Sequence, residues 1–423
     1  MYNASLYQIL NKRAKYIIIY IIELSGGIKM NKKMYDLGNN RSIIRELFEF
    51  SKLQKAKLGE DMVYDFSIGN PSVPPHEEVN KTLIDLLENE DPCYIHGYTS
   101  AQGDNLVREE IAKDLNLRFN TAYTINNLYM TCGAAASLCI AFKALTEKPS
   151  DEFLAIAPYF TEYKVFVETQ GAAFNVVPAL MKSFDININE LEKMIGPNTK
   201  GIIVNSPNNP SGVIYKEDSI IKLASLLREK EVLYNHPIYI ICDEPYREIA
   251  YDGINVPHIP NYYNNTIVCY SYSKSLSLPG ERIGYILVPN SVKDHEEIYK
   301  ACLGAGRGLG YVCAPSIFQH LIAKCSTLTS NMSLYKENRD VIYNGLKEIG
   351  YECVHPMGAF YLFFKSPSGD AYEFMERAKK HNIIVVPSDP FGVKGYLRLA
   401  YCVKKETLIS SLPGFKKIFD EYK

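Results

Sequence analysis

The sequence predicts an α/β protein: a large layered domain on a mostly parallel central sheet flanked by helices, joined to a smaller α+β domain. Three observations carry this. At 423 residues the chain exceeds what one simple core accommodates, so two domains are the natural expectation. From about residue 120 to 290, short β-branched runs alternate with longer helical patterns, as in a layered α/β domain. From about residue 316 the pattern changes to a long helical stretch followed by short strands with helices between and after them.

Taken in chain order, the first feature is the apolar run at 16–22 (YIIIYII). It follows a basic start but is far short of the ~20 residues that a membrane-spanning helix requires, and no small-x-small cleavage site follows it. Residues 1–33 are therefore read as an extension outside the fold, arising from a start codon upstream of Met30 or Met34; a weak signal anchor is the alternative. Candidate strands then cover 128–131, 152–157, 201–205, 238–242, 266–270 and 282–288, with helices at 134–145 and 216–230 among them. The C-terminal segment reads as a helical stretch over 315–349 and strands around 359–365 and 396–402.

Ligands of open α/β sheets bind beyond the carboxyl ends of the strands. Five candidate strands end in residues with chemistry to offer: Gly133-Ala134-Ala135, Pro158-Tyr159-Phe160, Ser206 to Gly212, Asp243 to Tyr246, and Ser271 to Lys274. If these strands are parallel neighbours, all five ends meet along one edge.

Composition narrows what that edge serves. Hydrophobic residues at 47% against 22% charged give the balance of a soluble globular protein. Lys plus Arg nearly cancels Asp plus Glu, leaving a net charge of -2, which gives no support to nucleic-acid or membrane binding. The ten cysteines form no C-x-x-C pair, and most sit in apolar runs. They read as buried small hydrophobes in a reducing cytoplasm, with no disulfide framework and no metal site.

Each strand end has a bland reading beside a functional one. Gly133-Ala134-Ala135 makes either a tight strand-to-helix turn or a phosphate cradle at a helix N-terminus. Phe160 or Tyr159 is either core or a platform for a planar ring. Asn209 sits in N-N-P-S-G, a turn by composition. Asp243 closes an apolar strand, so its carboxylate either points outward or pairs with a cation or N–H; a protonated ring nitrogen would serve. Lys274 ends another apolar strand, where desolvation and nearby cations lower an amine's pKa toward reactivity. Arg282, eight residues on, offers that charge and a fork of donors for phosphate; otherwise it pairs with Glu281 or Glu244.

The stretches N-S-P-N-N-P-S-G (205–212), D-E-P-Y (243–246) and S-Y-S-K-S-L-S-L-P-G-E-R-I-G-Y (271–285) resemble the class I/II aminotransferases, pyridoxal-phosphate (PLP) enzymes of fold type I. The likeness runs from about residue 60 to the end, in the same order and spacing. It implies a small domain formed by 34–77 with 316–423 and a large PLP-binding domain over 78–315. It also implies that Lys274 carries the cofactor as an aldimine and moves the substrate proton, that Asp243 pairs with the pyridine nitrogen, and that Tyr246 and Asn209 bond the phenolic oxygen. Ala134, Ala135, Ser271 and Arg282 would hold the phosphate, and Phe160 matches the stacking position better than Tyr159. Tyr98, in Y-T-S-A-Q-G, resembles the tyrosine that reaches the partner subunit's phosphate, which implies a homodimer with shared active sites. Arg398, in Y-L-R-L-A-Y, resembles the arginine that grips the α-carboxylate, and Gly69, in S-I-G-N-P, the small residue facing the substrate. The implied activity is transfer of an amino group between an L-amino acid and a 2-oxo acid, within amino-acid metabolism.

Some aspartate-specific relatives carry a lysine just after the phosphate-binding glycines; the matching position here is Ala135. The run from Gly304 to Gly310 alternates glycines around Arg307, which is expected to read an acidic substrate side chain from the partner's border; the alternative is a surface loop with a solvated arginine. Within the same fold, a C–S lyase or an aminocyclopropane-carboxylate synthase would use nearly the same cofactor residues. A PLP-sensing regulator would need a DNA-binding module that the N-terminal residues do not resemble, and a nicotinamide dehydrogenase would leave Lys274 idle.

Overall fold

The computed structural model describes residues 30–39 and 42–423, so the apolar run at 16–22 and most of the expected extension lie outside the described residues. Of that extension, residues 30–33 are described. Lys32 opens the helix Lys32–Asn39, which buries none of its side chains, and Lys33 Nζ donates to the Glu168 carbonyl at 3.1 Å.

Strands follow in chain order as β1 (Tyr64–Asp65), β2 (Leu128–Thr131), β3 (Glu152–Ile156), β4 (Ala173–Val177), β5 (Thr199–Asn205), β6 (Tyr239–Asp243), β7 (Thr266–Ser271), β8 (Gly284–Leu287), β9 (Tyr361–Lys365), β10 (Ile383–Ile384), β11 (Val386–Pro387) and β12 (Tyr396–Ala400). Seven build the central sheet in the order β2-β8-β7-β6-β5-β3-β4. The pairs from β4 to β7 are parallel, while β8 is antiparallel to both β7 and β2. β2 thus runs in the same direction as β7, and the five chemistry-bearing ends do lie on one edge. They are not all neighbours, however, because β8 stands between β2 and β7.

The central strands are near-continuous apolar runs because both faces of the sheet are covered. Alternation assigns the faces: Ile202, Val204, Ile240, Cys242, Val268 and Tyr270 join one core, while Ile203, Tyr239, Ile241, Ile267 and Cys269 join the other. The helix Ala134–Leu145 covers the second face with Leu138, Ile140, Ala141, Phe142 and Leu145, and its five alanines favour the helical state. β4, at the sheet edge, escapes the sequence reading because its half-exposed AFNVV carries neither a buried-strand run nor a clean alternation.

The chain's start rests on its end. β1 pairs in parallel with β10, and Leu47 of the helix Ile43–Leu58 packs with Val63, Met375, Ile384, Val386 and Phe391. β11, β12 and β9 form a separate antiparallel sheet. The helical stretch expected over 315–349 consists of two helices, Ser316–Cys325 and Ser333–Ile349. Between them Ser330 N–H donates to the Ser275 carbonyl at 2.8 Å and Asn331 accepts from Ser333 N–H at 3.2 Å, so polar side chains and a loop contact displace helical bonds. The first of these helices places Leu321, Ile322 and Cys325 in the core of the large sheet.

Candidate active site

A cavity of about 320 Å³ opens where the strand ends converge. Eleven of the thirteen site residues expected from the sequence line it: Gly69, Ala134, Ala135, Phe160, Asn209, Asp243, Tyr246, Ser271, Lys274, Arg282 and Arg398.

Lys274 reaches this cavity because β7 stops at Ser271, whose hydroxyl caps the short helix Tyr272–Ser275 by accepting from Ser273 N–H at 3.2 Å. The Lys274 amine donates to the Gly69 carbonyl at 2.7 Å. Burial brings its pKa down to about 8, with Arg282 and Arg398 adding to the fall. The neutral, nucleophilic amine therefore becomes the main form above about pH 8. In cofactor-free protein an aldehyde reagent should modify Lys274 with a pH midpoint near 8, followed by mass spectrometry; a midpoint at the ordinary lysine value of 10.5 would contradict the reading. Gly69 is required by close approach, since a Cβ there would lie 1.9 Å from the Tyr361 hydroxyl.

Asp243 is the last residue of β6 and is buried. Its Oδ2 accepts from the Tyr163 hydroxyl at 2.5 Å, while Oδ1 has no partner among the described residues. Burial raises its pKa to about 7; Tyr163 opposes the rise and Glu244 adds to it. A buried carboxylate oxygen left open beside a cavity is suited to a cationic N–H.

Arg398, on β12, is buried against the rings of Tyr361 and Phe391. It donates to Asn209 Oδ1 at 3.2 Å and to the Ser67 carbonyl, and its Nε has no partner among the described residues. Tyr246 meets the Tyr361 hydroxyl at 2.9 Å.

At the opposite wall Gly133 caps the helix Ala134–Leu145 with φ +84° and no side-chain hydrogen bond, which leaves the first N–H groups available to an anion. Arg282 stands against it: a Cβ on Gly133 would come within 2.8 Å of the guanidinium. Arg282 donates to Ser273 Oγ at 3.4 Å and to the carbonyls of Pro279 and Cys132. The alternative ion pair with Glu244 does not form, because Glu244 is taken by Arg247 at 3.0 Å. Among the described residues three cations and one carboxylate line the cavity, a balance suited to an anionic ligand.

Two expected residues lie elsewhere in the single chain. Tyr98 is 92% exposed and outside the cavity. Arg307 is exposed on the last turn of the helix His295–Gly308, where the alternative reading expects a surface loop. That helix closes on the sheet through Gly306, where a Cβ would meet the Tyr129 hydroxyl at 2.1 Å. The sequence reading missed Tyr163 and Tyr361. Tyr163 follows Phe160 by three residues and its N–H donates to the Phe160 carbonyl at 3.1 Å, but Phe160 precedes the helix and no local pattern marks Tyr163 out.

This sheet edge, with a lowered-pKa lysine facing a buried carboxylate, is that of a known class of group-transfer enzyme. The model of the family Aminotransferase class I and II matches residues 61–410, and the chain belongs to that family. It is an aminotransferase, of PLP-dependent fold type I. A solved amino transferase from Eubacterium rectale is 54% identical and superposes with a TM-score of 0.92 over 94% of this chain and 100% of its own. The aspartate aminotransferase of Thermotoga maritima is 28% identical over 362 residues, 84% of this chain and 91% of that protein. An aromatic-amino-acid aminotransferase of Thermococcus litoralis is 25% identical over 404 residues, 91% of this chain and 97% of that protein. Among the described residues no helix is long and apolar enough to cross a membrane.

Proposed function

We propose that the cavity holds pyridoxal 5′-phosphate and that the enzyme moves an amino group from an L-amino acid to a 2-oxo acid. The observation that carries this is the pairing of the Lys274 amine with the open Oδ1 of Asp243 across one cavity whose far wall is an anion cradle. The residues fit the cofactor: Asp243 Oδ1 and Arg398 Nε are buried polar atoms without partners among the described residues, and the space at Gly133 beside Arg282 would be filled by any Cβ.

The N–H groups of Ala134 and Ala135, with Ser271 and Arg282, would hold the phosphate. Phe160 would cover the ring, and Tyr246 and Asn209 would bond its phenolic oxygen. When bound, the cofactor supplies an electron-poor ring that accepts the charge left when an amino acid loses its α-proton. Asp243 would keep that ring's nitrogen protonated. Lys274 would hold the cofactor covalently, and its buried amine, once freed, would be the base that takes up and returns the substrate's α-proton. Gly69 leaves room for the substrate, and Arg398 fixes its α-carboxylate.

Incubating purified enzyme with a panel of L-amino acids and one 2-oxo acid tests this. Amino transfer that requires the acceptor is expected; release of ammonia and pyruvate without any acceptor would favour a C–S lyase. Arg398→Lys keeps the charge but loses the planar fork, so KM for the amino acid should rise about 10- to 100-fold, as initial rates would show. An unchanged KM would remove Arg398 from substrate binding.

We further infer a homodimer in which Tyr98 reaches the other subunit's phosphate, a reading supported by its near-complete exposure in the single chain. Among the described residues the cavity offers an acidic side chain no cation beyond Lys274, Arg282 and Arg398, and we infer that Arg307 of the second copy would supply a further one. Arg307→Ala should then lower kcat/KM on aspartate and glutamate by about 10-fold or more relative to alanine. Equal losses on all three substrates would rule this out.

A further inference from the structure

Tyr163 lies in the first turn of the helix Glu162–Thr169, 1% exposed, and touches two of the groups that would meet the cofactor ring. Its hydroxyl donates to Asp243 Oδ2 at 2.5 Å. Its ring packs edge-on against Phe160, with centroids 5.6 Å apart and planes at 84°. A carboxylate at the end of a strand is free to rotate about its last bond. With Oδ2 held and Oδ1 bare, a single orientation is selected, and only one oxygen is left for the cavity.

We propose that Tyr163 is the positioning residue of this site: its hydroxyl fixes the Asp243 carboxylate while its ring edge supports Phe160, so one side chain sets both groups that would contact the cofactor ring. The inference rests on the reading that the cavity holds pyridoxal phosphate. Burial and the neighbouring Asp243 push the phenol well above its ordinary pKa, so it remains a donor across the working range. The other titratable groups that interact with Asp243 are Glu244, Tyr246, Cys242 and Cys269. Glu244 is already paired with Arg247, and burial holds Tyr246, Cys242 and Cys269 in their neutral forms. Tyr163 is therefore the neighbour that stabilises the carboxylate as an anion.

Without that hydroxyl, Asp243 becomes a stronger base and draws the shared proton away from the ring nitrogen. The ring loses positive character, and the pH titration of the bound cofactor's visible band moves up.

The test uses holoenzyme with Tyr163→Phe, which keeps the edge packing, and with 3-fluorotyrosine placed at 163, which keeps the packing and strengthens the donor. The phenylalanine variant should bind pyridoxal phosphate about 10-fold or more weakly and raise the band's midpoint by at least about half a pH unit. The fluorinated side chain should lower the midpoint. Wild-type affinity and midpoint in the phenylalanine variant, or shifts of the same sign in both, would overturn the proposal. If the phenylalanine variant does not fold, an unmoved midpoint with fluorotyrosine overturns it alone. Failure of the cofactor reading itself looks different: the unmodified enzyme would then show no visible band to titrate.

Discussion

Replacing Lys274 by alanine should abolish amino transfer, lowering kcat by at least about 10⁴-fold, because one amine serves as both covalent anchor and proton carrier. The loss should come without unfolding. Among the described residues the Lys274 amine makes a single hydrogen bond, to the Gly69 carbonyl, and burial lowers its pKa, so the charged form is disfavoured where it sits. The sign of the linkage follows from that. Between about pH 8 and the ordinary 10.5 the unfolded chain holds a proton that the folded chain has released, so this residue weakens the fold below pH 8 and is relieved as pH rises. The alanine variant should thus melt no lower than cofactor-free wild type at pH 7, while losing the visible band that shifts on adding an amino acid. Retention of a few per cent of activity, or of a band that a borohydride reductant still fixes covalently, would defeat the assignment.

Much of this site was legible in the sequence because its chemistry is concentrated at strand ends. The 128–131 strand and the 134–145 helix appear with the expected bounds, since an apolar run, Gly133 and an alanine-rich segment each mark their own boundary. Asp243 stood out because a polar residue closing a buried strand has to be accounted for, Lys274 because it follows such a strand, and Asn209 through the N-S-P-N-N-P-S-G stretch that carries the resemblance. What stayed hidden depends on three-dimensional relations. Nothing local tells β8 to run against its neighbours or to separate β2 from β7. Tyr163 and Tyr361 are two among 32 tyrosines, and their roles arise only from what they touch across 80 and 115 residues of chain. Ile44 and Phe166 also line the cavity, although neither carries a motif. Tyr98 and Arg307 mark the opposite limit: the resemblance singles them out, but a single chain leaves both in solvent.

Asp243→Asn should separate stability from activity. The amide keeps the shape of the carboxyl group and an oxygen able to accept from the Tyr163 hydroxyl, but it cannot hold a positive charge on a ring nitrogen. With that charge gone, the ring no longer draws electrons strongly, and kcat should fall by about 10³-fold or more, measured as single-turnover loss of the amino-acid α-proton. Stability should move the other way. In cofactor-free enzyme the buried Asp243 keeps its proton to about pH 7, whereas the unfolded chain releases it near 3.8. The folded state therefore binds the extra proton in that window, and wild-type stability falls as pH rises through it, by an amount on the order of a few kcal/mol at neutral pH. The asparagine variant has no such dependence, so without cofactor it should melt higher than wild type at pH 7.5 and alike at pH 4. Adding pyridoxal phosphate should reverse the order at pH 7.5, since only the carboxylate gains a cationic partner. Equal melting temperatures at both pH values without cofactor would show that Asp243 is ionised at no cost, and its role as a carboxylate stored for a charged ligand would then be lost.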